Sequence, residues 1–285
     1  MKRVLITGAN SYIGTSFEKY VKANGIDFEI DTLDLLDPNW HDYDFSGYDS
    51  VFHVAGIAHF SKDESKKELY YSVNTELTER VARIAKQAGV RQFIFMSSII
   101  VYGDSTSKER IITRDTPPSP TDFYGDSKLQ AEGKLLNLES DGFKITIIRP
   151  PMIYGEGAKG NYPRLARLAK VLPLFPMIDN QRSMLYIGNF CCFLVAIINR
   201  GSKGIFFPQN KHYVNTSSLV SKIAEVHNRR IFLTRVFNPI INRLFRFDTI
   251  KKLFGNIIYE KDMSQYEFEY QIYNFDQSIY KTERK

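Results

Sequence analysis

Apolar and polar positions change period repeatedly along the first half of the chain. Short runs rich in β-branched and aromatic residues, at Val4–Thr7, Phe28–Leu33, Ser50–Val54, Gln92–Met96 and Lys144–Ile148, read as strands. Between them lie helical stretches at Thr15–Asn24, Leu69–Ala88 and Ser127–Leu138, the second with the spacing of a long amphipathic helix. Gly25 and Gly89 stand where a helix would stop. Strands alternating with helices predict an α/β fold, a doubly wound, Rossmann-like parallel sheet. After Pro150 the pattern breaks: Pro150, Pro151, Pro163, Pro173 and Pro176 interrupt it, with Gly155, Gly157 and Gly160. Helical character returns at Gly188–Asn199, Ser217–His227 and around Pro239–Phe254. The expected division is a first domain of 1–155, to which 183–204 returns, and a smaller, mostly helical lobe of 156–182 and 205–285 packed over the sheet edge.

Composition narrows the function classes. With 285 residues, 43% hydrophobic and 25% charged, the chain can bury a substantial core, which excludes intrinsic disorder. The longest apolar run, Phe190–Ile198, is too short to cross a membrane. Cys191 and Cys192 are adjacent, so neither a disulfide framework nor a cysteine zinc site is expected, and both read as small hydrophobes. The histidines at 41, 53, 59, 212 and 227 show no metal-ligand spacing; His53, in a strand, reads as a hydrogen-bonded structural residue, and no metal is expected. The N-terminal residues lack the apolar stretch of a signal peptide, which makes a cytoplasmic protein the expectation.

Three features carry candidate chemistry. Gly8 and Gly14, in VLITGANSYIG, place a glycine turn between a strand and a helix, where backbone N–H groups and a helix N-terminus can face a pyrophosphate. Ser11 occupies the place of the usual middle glycine, and its side chain must fit beside the phosphates. Asp34, with Asp31 as its rival, ends the second strand, where a carboxylate accepts from ribose hydroxyls and repels a 2′-phosphate; this favours NAD over NADP. Finally, Tyr124 and Lys128 are four apart at the start of a helix, so they share a face, and Ser98 tips a strand directed at the same sheet edge. A neighbouring ammonium would lower the phenol pKa from about 10.

These motifs together resemble the extended short-chain dehydrogenases/reductases acting on nucleotide sugars, the NAD-dependent epimerase/dehydratase family, in the style of UDP-glucose 4-epimerase-like enzymes of polysaccharide pathways. The resemblance rests on TGANSYIG at Thr7–Gly14, VFHVAG at Val51–Gly56, Asn74, SSIIVYG at Ser97–Gly103, YGDSK at Tyr124–Lys128 and RPPMIYG at Arg149–Gly155. It implies a catalytic Ser98, Tyr124 and Lys128. It implies NAD held by Gly8, Asn10, Ser11, Tyr12, Ile13, Gly14, Asp34, Val54, Ala55, Gly56, Asn74 and Pro151, with Tyr124 and Lys128. A nucleotide-sugar substrate would meet Ser98, Arg182 and Asn161, and homodimers would pair through two long helices, for which Leu69–Ala88 and Ser127–Leu138 could serve.

Departures from the family pattern bear on the reaction. Dehydrating members carry an acid pair just after the catalytic serine or threonine, whereas Ile99 and Ile100 stand here and cannot transfer a proton. Asn189 replaces a frequent aspartate. The expected activity is therefore 4-epimerisation of a UDP-sugar through a 4-keto intermediate. A 4-keto reductase or dehydrogenase, and a non-catalytic NAD-binding regulator, are the alternatives. The net charge of +6 resides in residues 229–254, seven Arg or Lys against one Asp, which turns the basicity from a nucleic-acid signal into a local feature. That segment suits either a packed helical lid facing solvent or a nucleotide diphosphate, or peripheral contact with an anionic membrane.

Overall fold

The structure is a computed structural model describing residues 1–58, 63–106 and 109–284. His59 lies outside the described residues. Six parallel strands form the central sheet: β1 (Lys2–Thr7), β2 (Phe28–Leu33), β3 (Ser50–His53), β4 (Gln92–Met96), β5 (Lys144–Ile148) and β6 (Gly204–Phe206), in the order β6-β5-β4-β3-β1-β2. Strands buried on both faces read as continuous apolar runs, as VLIT and FIFM do here. Registered neighbours Leu5, Val51, Phe93 and Ile145 form a row across one face, packed with Trp40, Ala82 and Leu135. On the other face Phe52 meets Phe17 edge-on at 6.0 Å.

Strand order reverses between β1 and β3, so the chain leaves the carboxyl ends of these neighbours in different directions. Such a switch point leaves a crevice where ligands bind in open α/β sheets. Three helical runs border it. Helix α1 (Tyr12–Ala23) starts before the expected Thr15 because Ser11 caps it. The run α2 comprises Lys67–Tyr71 and Thr78–Gln87, joined by a π-helical turn at Ser72–Leu77. Helix α3 (Phe123–Leu136) starts before the expected Ser127 because the Asp122 carboxylate accepts the Gly125 N–H at 2.8 Å.

The chain divides into two compact units: Met1–Gly103, Pro117–Pro150 and Cys191–Phe207 form the first, and Asp104–Thr116, Pro151–Phe190 and Pro208–Lys285 the second. Within the second unit, α4 (Asn161–Val171) and α6 (Thr216–Val226) enclose a core including Leu165, Phe175, Leu219 and Ile223. Helix α5 (Ile187–Arg200) begins in the second unit and ends in the first, with Cys191 buried and Cys192 half-buried, neither in a disulfide. The helical region expected around Pro239–Phe254 is two short helices, α7 (Asn238–Leu244) and α8 (Asp248–Phe254), because Phe247 between them is extended. Helix α9 (Phe275–Glu283) follows, opened by an Asn274–Gln277 capping box. Among the described residues no helix is long and apolar enough to cross a membrane, and no group of three or more His, Cys, Asp or Glu is placed to hold a metal ion.

Candidate active site

At the switch point the glycine turn is held against the β3 exit. Gly8 has φ +113°, and a Cβ there would lie 2.8 Å from the Ala55 backbone nitrogen. Both Val54 and Ala55 donate backbone hydrogen bonds to the Thr7 carbonyl at 3.0 Å. Asn10 also has positive φ, which Asn tolerates better than most residues. Ser11 is turned inward: its hydroxyl accepts the Gly14 N–H at 3.1 Å, which engages one of the donors at the start of α1. Tyr12 and Ile13 form the first turn of α1.

Of the two rival carboxylates, Asp31 lies inside β2, accepting from the Tyr48 hydroxyl at 2.7 Å and facing Arg3 at 3.6 Å. Asp34 lies just beyond β2, exposed, next to Leu33, whose carbonyl accepts from Gly8. Its Oδ1 accepts from the Leu36 N–H. A side-chain-free cradle at Gly8, a helix N-terminus and an exposed carboxylate at the adjacent strand end fit a dinucleotide.

The catalytic candidates converge from two elements. Ser98 follows β4, and its hydroxyl accepts the Ile100 N–H at 3.3 Å, capping the tight turn Ile99–Tyr102. Helix α3 packs onto that turn through Gly125, where a Cβ would fall 2.8 Å from the Ile100 carbonyl oxygen. Tyr124 and Lys128 thus occupy the first two turns of α3 beside Ser98. The Tyr70 ring lies 6.5 Å from that of Tyr124. Lys128 is buried, its ammonium 4.5 Å from the Phe95 ring centroid, and a Cβ on Gly56 would come within 3.1 Å of its Nζ.

Electrostatics at these residues differ from the expectation of a lowered phenol pKa. Burial pushes Tyr124 up to about 12; hydrogen bonding with Ser98 favours the phenolate, while Asp122 and Tyr70 oppose it. Burial instead pulls Lys128 down to about 7, against the pull of Glu132. The protein alone therefore keeps Tyr124 protonated at neutral pH.

Among the residues that position this site, Glu132 and its pairing with Arg149 were not singled out from sequence. Asn74, assigned there to the cofactor site, is fully buried in the π-helical turn, accepting from Ile57 N–H at 2.9 Å and donating to the Ile57 carbonyl and the Ser127 hydroxyl at 3.0 Å. It ties the loop after β3 to α3, and π turns of this kind recur at functional sites. Glu132, four residues past Lys128, receives Arg149 Nε at 3.0 Å and the Ser97 hydroxyl, while Arg149 also donates to the Tyr102 hydroxyl at 2.7 Å. This buried network joins the ends of β4 and β5 to α3. His53 is buried with Thr7 at 2.7 Å and Thr78 at 3.0 Å on its two nitrogens, and burial drives its pKa down to about 3. It is a neutral structural imidazole.

The remaining candidates belong to the second unit. Pro151 is buried directly before the strand Met152–Tyr154. Arg182 Nη1 donates to the Gly255 carbonyl at 3.0 Å and the Lys251 carbonyl at 3.4 Å. Its Nε is buried without a hydrogen-bond partner among the described residues, and burial lowers its pKa to about 10. The Asn161 amide donates to the Lys252 carbonyl at 3.4 Å. Both side chains therefore converge on the carbonyls that close α8. Asn189 donates to the Tyr273 carbonyl and accepts the Tyr273 N–H, a reciprocal pairing that an aspartate carboxylate could not make.

The chain is similar to several known proteins. A UDP-glucose 4-epimerase of Vibrio cholerae is 31% identical over 248 residues, 78% of this chain and 75% of that protein. An N-acetyl-alpha-D-glucosaminyl-diphospho-ditrans,octacis-undecaprenol 4-epimerase of Escherichia coli O157:H7 is 29% identical over 277 residues, 88% of this chain and 81% of that protein. The structure of a UDP-glucuronic acid 4-epimerase from Bacillus cereus with NAD matches 98% of this chain and 96% of its own, with a TM-score of 0.72 and 16% identity. A dTDP-4-dehydrorhamnose reductase from Bacillus anthracis with NADP reaches a TM-score of 0.75 over 99% of this chain and 98% of its own, at 18% identity. At such identities the structural likeness establishes the fold, which both reactions share. Residues 4–207 match the NAD dependent epimerase/dehydratase family, and with the sequence relatives this places the chain in that family as an NAD-using enzyme of the extended short-chain dehydrogenase/reductase type.

Proposed function

We propose that this enzyme is a 4-epimerase of a nucleotide sugar, a UDP-sugar by preference, supplying precursors for polysaccharide synthesis. The observation carrying the reading is the set Ser98, Tyr124 and Lys128 with no proton-transferring side chain at Ile99 or Ile100. Elimination of water needs an acid and a base at the neighbouring carbon, and those two positions supply neither. Epimerisation through a 4-keto sugar asks the side chains only to remove and restore the C4 hydroxyl proton, the C4 hydride leaving to the cofactor and returning to the opposite face.

The Gly8–Gly14 turn, Asp34, the Val54–Gly56 loop and Lys128 would hold NAD, which when bound would supply reversible hydride acceptance and a positive nicotinamide ring that favours the phenolate. Tyr124 removes the C4 hydroxyl proton, and its raised pKa makes it a strong base once ionised. Ser98 hydrogen-bonds the oxygen as it becomes a carbonyl. The resulting 4-keto sugar must turn its other face before C4 is reduced again, with Tyr124 returning the proton. Lys128, with a pKa of about 7, would hold the nicotinamide ribose and adjust the local charge. Asn74 and the Glu132–Arg149 pair keep α3 in place throughout.

Arg182 and Asn161 are assigned to the substrate diphosphate, because a guanidinium with an unpaired Nε suits phosphate oxygens. The Escherichia coli relative is named for a sugar carried on a polyprenyl diphosphate, and such a carrier would offer these residues the same diphosphate. Tyr124→Phe is expected to abolish turnover while NAD still binds, read from product formation and from cofactor retained by the purified protein. Near-normal turnover in that variant would overturn the mechanism.

A further inference from the structure

We propose that the second unit carries a docking surface for an anionic membrane, formed by two basic segments that share an exposed apolar face. The first segment, 229–254, carries seven Arg or Lys and one Asp; the second, 157–178, carries Lys159, Arg164, Arg167 and Lys170 and no acid. The fold joins them. Phe232–Thr234 pairs in parallel with Leu174–Pro176, placing Phe232 beside Leu174. Inward positions of this ribbon, Phe175 and Leu233, pack in the core, whereas Phe232 and Leu174 face out, 67% and 46% exposed. The apolar face continues along the same edge. Met177 donates to the Thr234 carbonyl, Asn238 donates to the Met177 carbonyl, and Val236 and Ile240 are 76% and 60% exposed.

Apart from Lys170, which pairs with Glu283 at 2.7 Å, the cations around this face are largely not neutralised. Arg229, Arg230, Arg235 and Arg243 are exposed and make no ion pair among the described residues. Elsewhere surface cations find carboxylates, as Arg83 and Lys134 do at Glu79 and Lys203 at Glu139. Arg246 lies 4.8 Å over the half-exposed Phe247 ring, a cation beside an aromatic as interfacial segments place them. A solvent-facing lid would gain nothing from exposing Phe232, Val236 and Ile240 together. An anionic lipid surface satisfies both halves, phosphate charge for the arginines and the acyl boundary for the apolar side chains. This inference rests on exposure and charge and stands independently of the reaction proposed above.

The test is flotation of the full chain with phosphatidylglycerol-containing vesicles and with pure phosphatidylcholine vesicles. Binding is expected to the former only, to fall with salt, and to drop about tenfold or more in R235E/R243E. A comparable drop is expected in F232S/I240S, because both side chains insert. These positions are exposed, so unchanged thermal unfolding and NAD binding would show both variants intact. Absence of binding at low salt, equal binding to both vesicles, or binding insensitive to F232S/I240S would overturn the proposal. So would a concentration-dependent dimer, lost in F232S/I240S, formed without vesicle binding; the face would then receive a second copy of this chain.

Discussion

Ser11 shows how one side chain can satisfy the fold and compete with a ligand. Its hydroxyl caps α1 by taking the Gly14 N–H, a donor at the helix N-terminus where a phosphate would approach. Ser11→Gly would release that donor and weaken the helix start by only about a few tenths of a kcal/mol, since glycine is itself an adequate cap. Tighter NAD binding by calorimetric titration is therefore expected, and weaker binding would show that Ser11 contributes a contact of its own. His53 offers a test of burial instead. Its pKa of about 3 in the folded chain lies well below the ordinary 6.5. Above pH 6.5 both states hold a neutral imidazole and stability is flat in this group. As pH falls below that value the unfolded chain binds a proton the folded chain refuses, so stability declines until about pH 3, by on the order of a few kcal/mol. In denaturant titrations His53→Gln should flatten this acid limb, whatever packing it loses; an unchanged slope would assign the limb to other groups.

Among elements, the contact between α3 and the turn after Ser98 decides the geometry of the reacting groups. It is close because Gly125 has no side chain against the Ile100 carbonyl. Gly125→Ala would push α3 away, costing about 1–3 kcal/mol in stability. It is expected to lower kcat more than NAD affinity, since α3 would contribute Lys128 alone to the cofactor while the dinucleotide turn at Gly8 lies on other elements. Equal losses in both would mean that α3 supports the cofactor as much as the chemistry. Strands β1, β3, β4 and β5 were legible as largely buried runs, β6 with its three half-buried residues was not, and α3 was legible in place but not in start. Its first turn is capped by Asp122 and contains Tyr124, polar groups that fall outside an apolar repeat. The π turn at Ser72–Leu77 left no mark on the spacing of the long helix, and Asn74 became intelligible only with its partners Ile57 and Ser127 in place. Pairing of Glu132 with Arg149, 17 residues apart, is a tertiary event that no local pattern encodes.

For the whole molecule, the motifs Gly8–Gly14, Ser98, Tyr124 and Lys128 carried the family, and the strand order supplied the crevice in which such motifs work. The sequence motif could not convey the protonation state of Tyr124, because the phenol responds to burial more than to Lys128. Positive charge likewise became informative only in three dimensions, where Phe232 and Leu174 emerge side by side among the arginines. The central claim, 4-epimerisation without consumption of external reductant, is tested most directly by proton NMR of purified enzyme with a panel of UDP-sugars and no added NADH. The account predicts new anomeric signals of a C4 epimer approaching equilibrium from either sugar, absent with Tyr124→Phe. No epimer from any UDP-sugar, together with stoichiometric NADH oxidation on a 4-keto nucleotide sugar, would contradict it and identify a reductase.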